Sequence, residues 1–599
     1  MSGYRNWKCA LDKSKGFARH EMSTAHMWAM TKWEEKRLRV KENREVSSLV
    51  NENQLLKNRY YVTVIFDVIK FLASNEHSFR GDDESYSVDS SETCPSFGLF
   101  LRLFEFTLAK DTHLQKVIKY IPKVVTYKSP EIQNEVLEIM ATTVCEKIAD
   151  KCRRCDIGFY CIKVDGTKSH TGSEIISIVL RFVYEGKVEE HLLGIMESEN
   201  MQAIALCDVI LNGLVSAGLD PRYIISQCYD GASVMAGVRG GVQALMQERV
   251  KKYIPYVHCF NHKLHLIVIN SAAHNKEVHD FFGICNRLFM FLRRPNVAAS
   301  YRGSALKRLL EQRWTGHLKT TAAVVENFEE LIALLKKCSD SRNDYCVDIS
   351  IEASGLLSKI SQPEFKFIAQ MMNSVLKLIE PADRAFQSRA IDLLSAWDVI
   401  KAVQETMKNM RNDDGFLQLL SKVNTGDEFP SNKRHRKLSR KFNEFLLYDP
   451  QTVGHVEDME LETSLKQLYY EVLDTVISEI DRPAEAEITT AKTFLQNKFG
   501  SEKAHLDEII AILYGYKDAF PNAYRLAAAA LTIGISSATC EASFSTCSRL
   551  LSPFRRSMTH ARMNHLVLIS FERQILESIS NEELLRRFHK SGNRRLQLY

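Results

Sequence analysis

The hydrophobic period of the chain changes at about Ile157, and this change constrains the fold more than any other feature of the sequence. From there to about residue 273, short β-rich segments alternate with helical patterns, in the order three strands, helix, strand, helix, strand, helix. The first three strands can pair as a meander, whereas the later two need crossover connections. We therefore predict an α/β fold with a mixed five-stranded sheet and flanking helices. The predicted strands are Phe159–Val164, Glu174–Tyr184, Glu189–Met196, Tyr223–Cys228 and Tyr256–Phe260.

Helical spacing dominates the rest of the chain. Residues from about 280 to 525 show no strand signal, and Phe365 to Ile379 repeat at helical spacing up to Pro381, which we expect to end that helix. This pattern predicts an all-helical insertion that interrupts the sheet-containing core. The predicted regions are residues 1–30, helical residues 31–149 with a polar linker at 80–96, a first core part at 150–285, the insertion at 286–524, and a last core part at 525–599.

Composition excludes several classes of protein. The 599 residues are 45% hydrophobic and 26% charged, which is ordinary for a globular chain. We see no apolar run of about 18 residues and no apolar segment typical of a secretory signal, so we expect neither a membrane span nor export. The 14 cysteines lack the spacing of a disulfide scaffold and are interpreted as small buried hydrophobes in a reducing compartment. A net charge of +5 is too small to indicate nucleic-acid binding by itself.

Two aspartates follow predicted strands at positions that suit a metal site. Asp165 ends the first strand and Asp230 ends the fourth, and ligands collect at such strand ends in open sheets. Each Asp-Gly pair taken alone is also typical of a plain turn, because Asp tolerates turn geometry and Gly supplies positive φ. The pair together favours a site. Glu541 has no support from spacing alone.

Several segments resemble proteins of the hAT transposase superfamily, in the group related to zinc-finger MYM-type protein 1. The matching segments occur in family order along nearly the whole chain: Phe79–Ser85 (FRGDDES), Tyr127–Glu135 (YKSPEIQNE), Val164–Thr167 (VDGT), Tyr229–Met235 (YDGASVM), Val257–Leu264 (VHCFNHKL), Arg313-Trp314 and Cys540–Ser545 (CEASFS). The resemblance implies an RNase H-like core and a C-terminal dimerisation region within 525–599. One departure is Ala542, which stands where the family usually has Arg after its glutamate.

The same resemblance implies roles for individual residues. Asp165, Asp230 and Glu541 would hold Mg²⁺ or Mn²⁺, the hard cations that carboxylates prefer, as a DDE triad for DNA cleavage and strand transfer. His262, beside the fifth strand, would contact the scissile region. Arg313 would bind phosphate, and Trp314 would stack a displaced base.

The first 30 residues resemble the second half of a TTF-type zinc finger. His20 and His26 have the spacing of two zinc ligands, but the upstream cysteines of such a finger are not in the sequence. We therefore expect Zn²⁺ only with a complete finger. The alternative is a short helix with surface histidines.

A basic run at residues 433–441 could contact DNA phosphates or direct the protein to the nucleus. A solvated loop is the alternative. Its candidate DNA contacts are Lys433, Arg434, Arg436 and Lys437.

Two functional hypotheses follow from these features. The first is a transposase that binds DNA, forms homo-oligomers through its C-terminal region and cleaves strands at Asp165, Asp230 and Glu541. The second is a domesticated, non-catalytic nuclear protein that dimerises and binds DNA or other proteins. The first requires that carboxylates remote along the chain meet in the fold.

Overall fold

The computed structural model describes fifteen stretches of the chain, and these form two compact units. Unit 1 comprises Met1–Val144 and Arg549–Tyr599, and unit 2 comprises Cys145–Ser548. Within the described residues, no helix has the length and apolar character needed to cross a bilayer. The described residues are 8, 10–12, 16–41, 52–80, 98–122, 125–168, 172–198, 200–309, 315–340, 346–389, 391–423, 456–481, 506–519, 521–551 and 558–599.

The helices that precede the sheet in the sequence belong to unit 1, except for the end of the last one. They are α1 (Phe17–Glu21), α2 (Thr24–Lys41), α3 (Glu52–Ser74), α4 (Leu99–Lys110), α5 (Thr112–Val117), a 3₁₀ turn (Ile118–Tyr120) and α6 (Pro130–Arg153), which runs on into unit 2. α3 has an apolar face that is fully buried at Ile65, Ile69 and Leu72. Burial of this face, rather than helix propensity, accounts for most of the stability of such a helix.

Unit 2 contains a mixed five-stranded sheet, as predicted. Its strands are β1 (Tyr160–Lys168), β2 (Glu174–Tyr184), β3 (Lys187–Ser198), β4 (Ile224–Tyr229) and β5 (Tyr256–His258), arranged in the order β3-β2-β1-β4-β5. The first three form an antiparallel meander, and β4 and β5 run parallel to β1. The parallel strands are joined by helical crossovers: α7 (Ala203–Ser216) and a 3₁₀ turn (Pro221–Tyr223) before β4, then α8 (Ser233–Ala236) and α9 (Val242–Val250) before β5.

Four of the five predicted strands have different bounds in the structure, and two of these differences concern the candidate site. β1 was expected to stop at Val164, but it runs on to Lys168 because Gly166 and Lys168 still pair with Ile176 and Glu174 of β2. The fifth strand was expected to reach Phe260, but it stops at His258. Phe260 begins α10 (Phe260–His274).

Every described element between β5 and residue 515 is a helix. These helices are α10, α11 (Lys276–Leu292), α12 (Pro295–Ala298), α13 (Thr315–Glu326), α14 (Phe328–Ser339), α15 (Val347–Ile360), α16 (Pro363–Phe386), α17 (Leu393–Met410), α18 (Asp413–Val423), α19 (Val456–Asp481) and α20 (Leu506–Gly515). Pro381 lies inside α16, so the expected stop at this residue was wrong. Burial of Ala382 and Phe386 beyond the proline keeps the last turn helical despite the lost hydrogen bond.

Five more helices follow among the described residues, and they are divided between the units. α21 (Pro521–Thr532) and most of α22 (Ala538–Leu550) belong to unit 2, whereas α23 (His560–Phe571), α24 (Arg573–Glu577) and α25 (Asn581–Lys590) belong to unit 1. Within unit 1, α23 and α25 pack against α3, and the rings of Phe66 and Phe588 meet edge to face at 5.4 Å. The residues from Arg549 on are thus grouped with the N-terminal helices, although we had assigned 525–599 to the sheet-containing core.

Candidate functional site

Asp165 lies within β1 and not in a turn. Its cross-strand neighbour in β2 is Ser177, and its Oδ1 accepts a hydrogen bond from the amide of Gly166 at 3.0 Å. The strand is fully buried from Tyr160 to Val164, and burial becomes partial at Asp165. The aspartate therefore stands where a buried, rigid strand first reaches the edge of the core.

Asp230 follows β4 at the same level of the sheet as Asp165. The parallel register pairs Lys163 with Cys228, and each aspartate lies two residues beyond its member of that pair. Side chains two residues apart lie on the same face of a strand, and neighbouring strands are about 4.8 Å apart. The register therefore brings Asp165 and Asp230 to one face of the sheet on adjacent strands.

Glu541 lies in the first turns of α22, which pack on that same face. The Cys540 thiol is 3.5 Å from the carbonyl oxygen of Lys163, and the hydroxyl oxygens of Ser543 and Ser177 are 2.8 Å apart. Lys163 and Ser177 are on the face that bears Asp165, since one lies two residues before it and the other directly opposite it. The helix that carries Glu541 is thus fixed to β1 and β2 beside the first aspartate.

The residues just before α22 contact the end of β5 and the residues that follow it. The amide and hydroxyl of Ser537 each donate to the Cys259 sulfur at 3.3 Å, and the amide of Phe260 donates to the carbonyl oxygen of Ile535 at 2.9 Å. The carboxylate of Glu541 adds to burial in raising the pKa of the Cys259 thiol. Asp165 and Asp230 thus share one face of the sheet with the helix that carries Glu541, and we call it the carboxylate face.

Two half-buried histidines stand next to Asp230. The rings of His258 and His262 are 5.5 Å apart, and burial lowers the pKa of both, to about 4 for His258. For His262 the charge of Asp230 opposes this effect. Both rings are therefore largely neutral at neutral pH and can accept a proton or a hydrogen bond. A side chain at Gly231 would meet the His258 ring at 2.4 Å, so the second Asp-Gly pair requires its glycine for close approach.

A buried cluster of charged side chains adjoins the carboxylate face. Lys163 Nζ and Arg181 NH1 each lie 2.7 Å from Glu190 Oε1, and these three side chains are at most 4% exposed. The hydroxyl of Thr539 donates to Glu190 Oε2. Burial alone would raise the pKa of Glu190, but the two cations and the hydrogen bonds from Lys163 and Thr539 lower it to about 2. We name these four residues the Glu190 cluster; sequence reasoning missed it, and its only signal was charge inside predicted strands.

The donor chemistry of the carboxylate face suits a hard divalent cation, since carboxylate oxygens are the ligands that Mg²⁺ and Mn²⁺ prefer. Among the residues that the structure describes, no three His, Cys, Asp or Glu side chains are grouped so as to hold a metal ion. The register of β1 and β4 brings Asp165 and Asp230 to one face of the sheet, and the position of the Glu541 carboxylate beside them stays a prediction. The joint binding of Mg²⁺ by all three stays a prediction.

The other predicted site residues fall into two groups. His20 and His26 lie together, with ring nitrogens 3.1 Å apart, as two ligands of one zinc ion would; their binding of Zn²⁺ stays a prediction. The remaining DNA-contact candidates lie outside the described residues: Arg313, Trp314, Lys433, Arg434, Arg436 and Lys437.

Comparison with known proteins agrees with this geometry. The family described as "ZMYM1/FAM200, RNase-like domain" matches residues 1–241, which include Asp165, Asp230 and the first four strands. The hAT family C-terminal dimerisation region matches residues 496–572, which include Glu541. A human protein, the 52 kDa repressor of the inhibitor of the protein kinase, is 23% identical over 299 residues, or 46% of this chain and 39% of the relative's own length. The resemblance found in the sequence motifs is confirmed by these two matches: residues 1–241 match an RNase-like domain of the ZMYM1/FAM200 type, and residues 496–572 match the hAT dimerisation region.

Proposed function

We propose that this protein is a nuclear, hAT-type transposase-like protein that dimerises, binds DNA and cleaves and transfers DNA strands at the carboxylate face. The observation that carries the proposal is the common register of Asp165 and Asp230, with α22 holding Glu541 over the same face. Phosphoryl transfer needs carboxylates that meet from separate parts of the chain, and Asp165 and Glu541 are 376 residues apart in the sequence.

In this reaction Asp165, Asp230 and Glu541 would hold Mg²⁺ or Mn²⁺. The cation, when bound, stabilises the attacking and leaving oxygens of the phosphate. His262, neutral and beside Asp230, can hydrogen-bond a phosphate oxygen or take the proton of the attacking hydroxyl. The rigid strands below keep the carboxylates in place, so little reorganisation is needed when DNA arrives.

DNA binding is assigned to cationic and aromatic residues. Arg313 suits a phosphate with its fork of donors, and stacking of a base on Trp314 would contribute roughly 1–3 kcal/mol. Lys433, Arg434, Arg436 and Lys437 would neutralise further phosphates, so affinity should fall as salt rises. The basic run that contains them also supports the nuclear location.

Self-association is assigned to an exposed apolar side of α20, which lies in the matched dimerisation region. Leu506 and Ile510 are buried in unit 2, whereas Ile512 is 65% and Tyr516 61% exposed, with exposed Ala511 and Gly515 beside them. Exposed apolar patches of this kind mark interaction sites. Because the family region is one of dimerisation, the partner we propose is a second copy of the chain.

A second candidate is a domesticated protein that dimerises and binds DNA or proteins without cleavage. It is favoured by the absence of a grouped set of three metal-ligating side chains among the described residues and by Ala542 in place of the family Arg. The human relative is named as a repressor, and a repressor needs no DNA cleavage. In this case the carboxylate face would be retained from a transposase ancestor and would have no role in cleavage.

Cleavage is tested with the full chain, Mn²⁺ and DNA that carries the inverted repeats flanking its coding sequence. We expect nicking at the repeat ends, and a loss of at least about a thousandfold in Asp165→Asn, Asp230→Asn and Glu541→Gln, since each removes a charged metal ligand. Asp280→Asn, an exposed acid on α11, is the matched control and should cleave as wild type does. Cleavage that survives Asp165→Asn would exclude this face as the active site, and wild-type protein that never nicks these ends would favour the second candidate.

Dimerisation is tested by analytical ultracentrifugation of Ile512→Glu. We expect the dimer to weaken by about a hundredfold, because a charge would be buried at an apolar contact. Ile351→Glu is a closely matched control, since Ile351 on α15 is 66% exposed and lies outside the matched region. If both variants associate as wild type does, the partner surface lies elsewhere.

A further inference from the structure

We propose that Glu190 and Thr539 are positioning residues that set the orientation of the first turn of α22, and hence of Glu541, over the carboxylate face. The inference rests on the proposed function, because it gives Glu190 and Thr539 a purpose in metal binding. Neither residue is a ligand in the proposed reaction, and both act through the helix that bears Glu541.

The two oxygens of Glu190 have separate partners. Oε1 lies 2.7 Å from both Lys163 Nζ and Arg181 NH1, whereas Oε2 accepts the hydroxyl hydrogen of Thr539. The Glu190 side chain is only 1% exposed, so its oxygens depend on these protein partners. One oxygen is therefore held by two cations, and the other presents a fixed acceptor to α22.

The anchor behind this acceptor is itself fixed. Arg181 Nε donates to the carbonyl oxygen of Leu531 at 2.8 Å, and its NH2 group donates to that of Ile391 at 3.1 Å. Its NH1 group also donates to the carbonyl oxygen of Arg389 at 2.7 Å. A guanidinium with this many buried partners cannot change rotamer without losing several of them, so Glu190 is held from a rigid base.

Thr539 transmits this rigidity to Glu541. The two residues are separated by about 200° around a helix of 3.6 residues per turn. When Thr539 is held towards Glu190 of β3, this rotation directs Glu541 to the other side of the helix, which is also the side of Ser537, four residues earlier, with its bond to Cys259. A hydrogen bond to a charged acceptor is stronger than the neutral thiol contact that Cys540 makes with β1, so the Thr539 bond dominates the orientation.

The first readout is hydrogen exchange at the amides of Cys540 and Glu541, both of which donate to the carbonyl oxygen of Ser537. We expect Thr539→Val, which keeps the shape but removes the hydroxyl, to speed this exchange about tenfold, and Thr539→Ser to restore it. The matched control is Thr532→Val: Thr532 is fully buried, but its hydroxyl bonds only to Ala528 in its own helix.

The second readout is Mn²⁺ affinity, measured by titration of the full-length protein. We expect Thr539→Val to weaken it about tenfold, with wild-type affinity in Thr539→Ser and Thr532→Val. Circular dichroism confirms that each variant is folded. A folded Thr539→Val protein with unchanged exchange at Cys540 and Glu541 would overturn the inference. If wild-type protein binds no Mn²⁺, the proposed function fails, and the exchange rates still decide whether Thr539 orients the helix.

Discussion

Two carboxylates in this protein, Glu190 in unit 2 and Glu135 in unit 1, use the same chemistry at different depths. Glu190 is 1% exposed and is shared by Lys163, Arg181 and Thr539. Glu135, on α6, is 28% exposed and accepts hydrogen bonds from Arg594 at 3.0 Å and from Ser591 at 2.8 Å. In both, positive partners lower the pKa of the carboxyl although burial opposes the shift.

The two carboxylates differ in how much stability is lost when one of their partners is removed. Water can still solvate Glu135 if Arg594 leaves, so its pair stabilises unit 1 only modestly. Glu190 is almost fully buried, and removal of one member of its cluster leaves buried charge with less compensation. Each holds a C-terminal segment of its own unit, but only the Glu190 cluster adjoins the carboxylate face. The deeply buried Glu190 cluster is thus the one next to the candidate site, whereas the more exposed Glu135 pair contributes only to the stability of unit 1.

The largest expected effect is that of Glu190→Gln. Lys163 and Arg181 would lose their counter-charge in the core, and we expect the free energy of unfolding of unit 2 to fall by roughly 3–5 kcal/mol. Urea unfolding followed by hydrogen exchange in β1 to β3 measures it. A loss below about 1 kcal/mol would place Glu190 in the same class as Glu135.

An intermediate effect is expected from acid. The pKa of Glu190 is lowered from 4.5 to about 2, so its contribution to stability is fully present above pH 4.5 and is lost as pH falls through 2. The stability difference between wild type and Glu190→Gln should therefore shrink as pH falls from 4.5 towards 2. A difference that is constant across this window would mean that Glu190 is not ionised in the folded protein.

The smallest effect is expected from Glu135→Gln. It weakens the two-pronged contact with Arg594, whose guanidinium also lies 3.6 Å over the Phe588 ring and keeps that contact. We expect unit 1 to lose about 1 kcal/mol, a value already discounted for solvent screening. Hydrogen exchange of the tail at residues 595–598 reports it, and Glu577→Gln, in an exposed pair with Arg573, is the control.

Strands were easier to predict than the charges inside them. Glu174–Tyr184 was predicted at its observed bounds, because an uninterrupted apolar run with β-branched residues has few other structures open to it. Arg181 lies inside that run, and its partner Glu190 comes from the next strand. A single sequence gives no sign that these charges meet in the core, because pairing across strands depends on register and burial together.

The candidate site was predicted only in part for a related reason. Asp165 and Asp230 could be paired from strand order, because parallel strands bring equivalent ends together. Glu541 needed the family resemblance, since its position depends on side-chain contacts of α22 with β1, β2 and β5. The contact between Thr539 and Glu190 could not be foreseen, because it joins residues 349 apart along the chain.

The ion pair of Lys163 also affects the charge that Asp165 presents. Lys163 lies on the same side of β1 as Asp165, two residues away, where a free ammonium group would offset the aspartate's charge. Its ammonium is instead engaged by Glu190 in the interior. Because this ion pair takes up the charge of the ammonium group, less of the charge of Asp165 is offset, and more of it can attract a divalent cation.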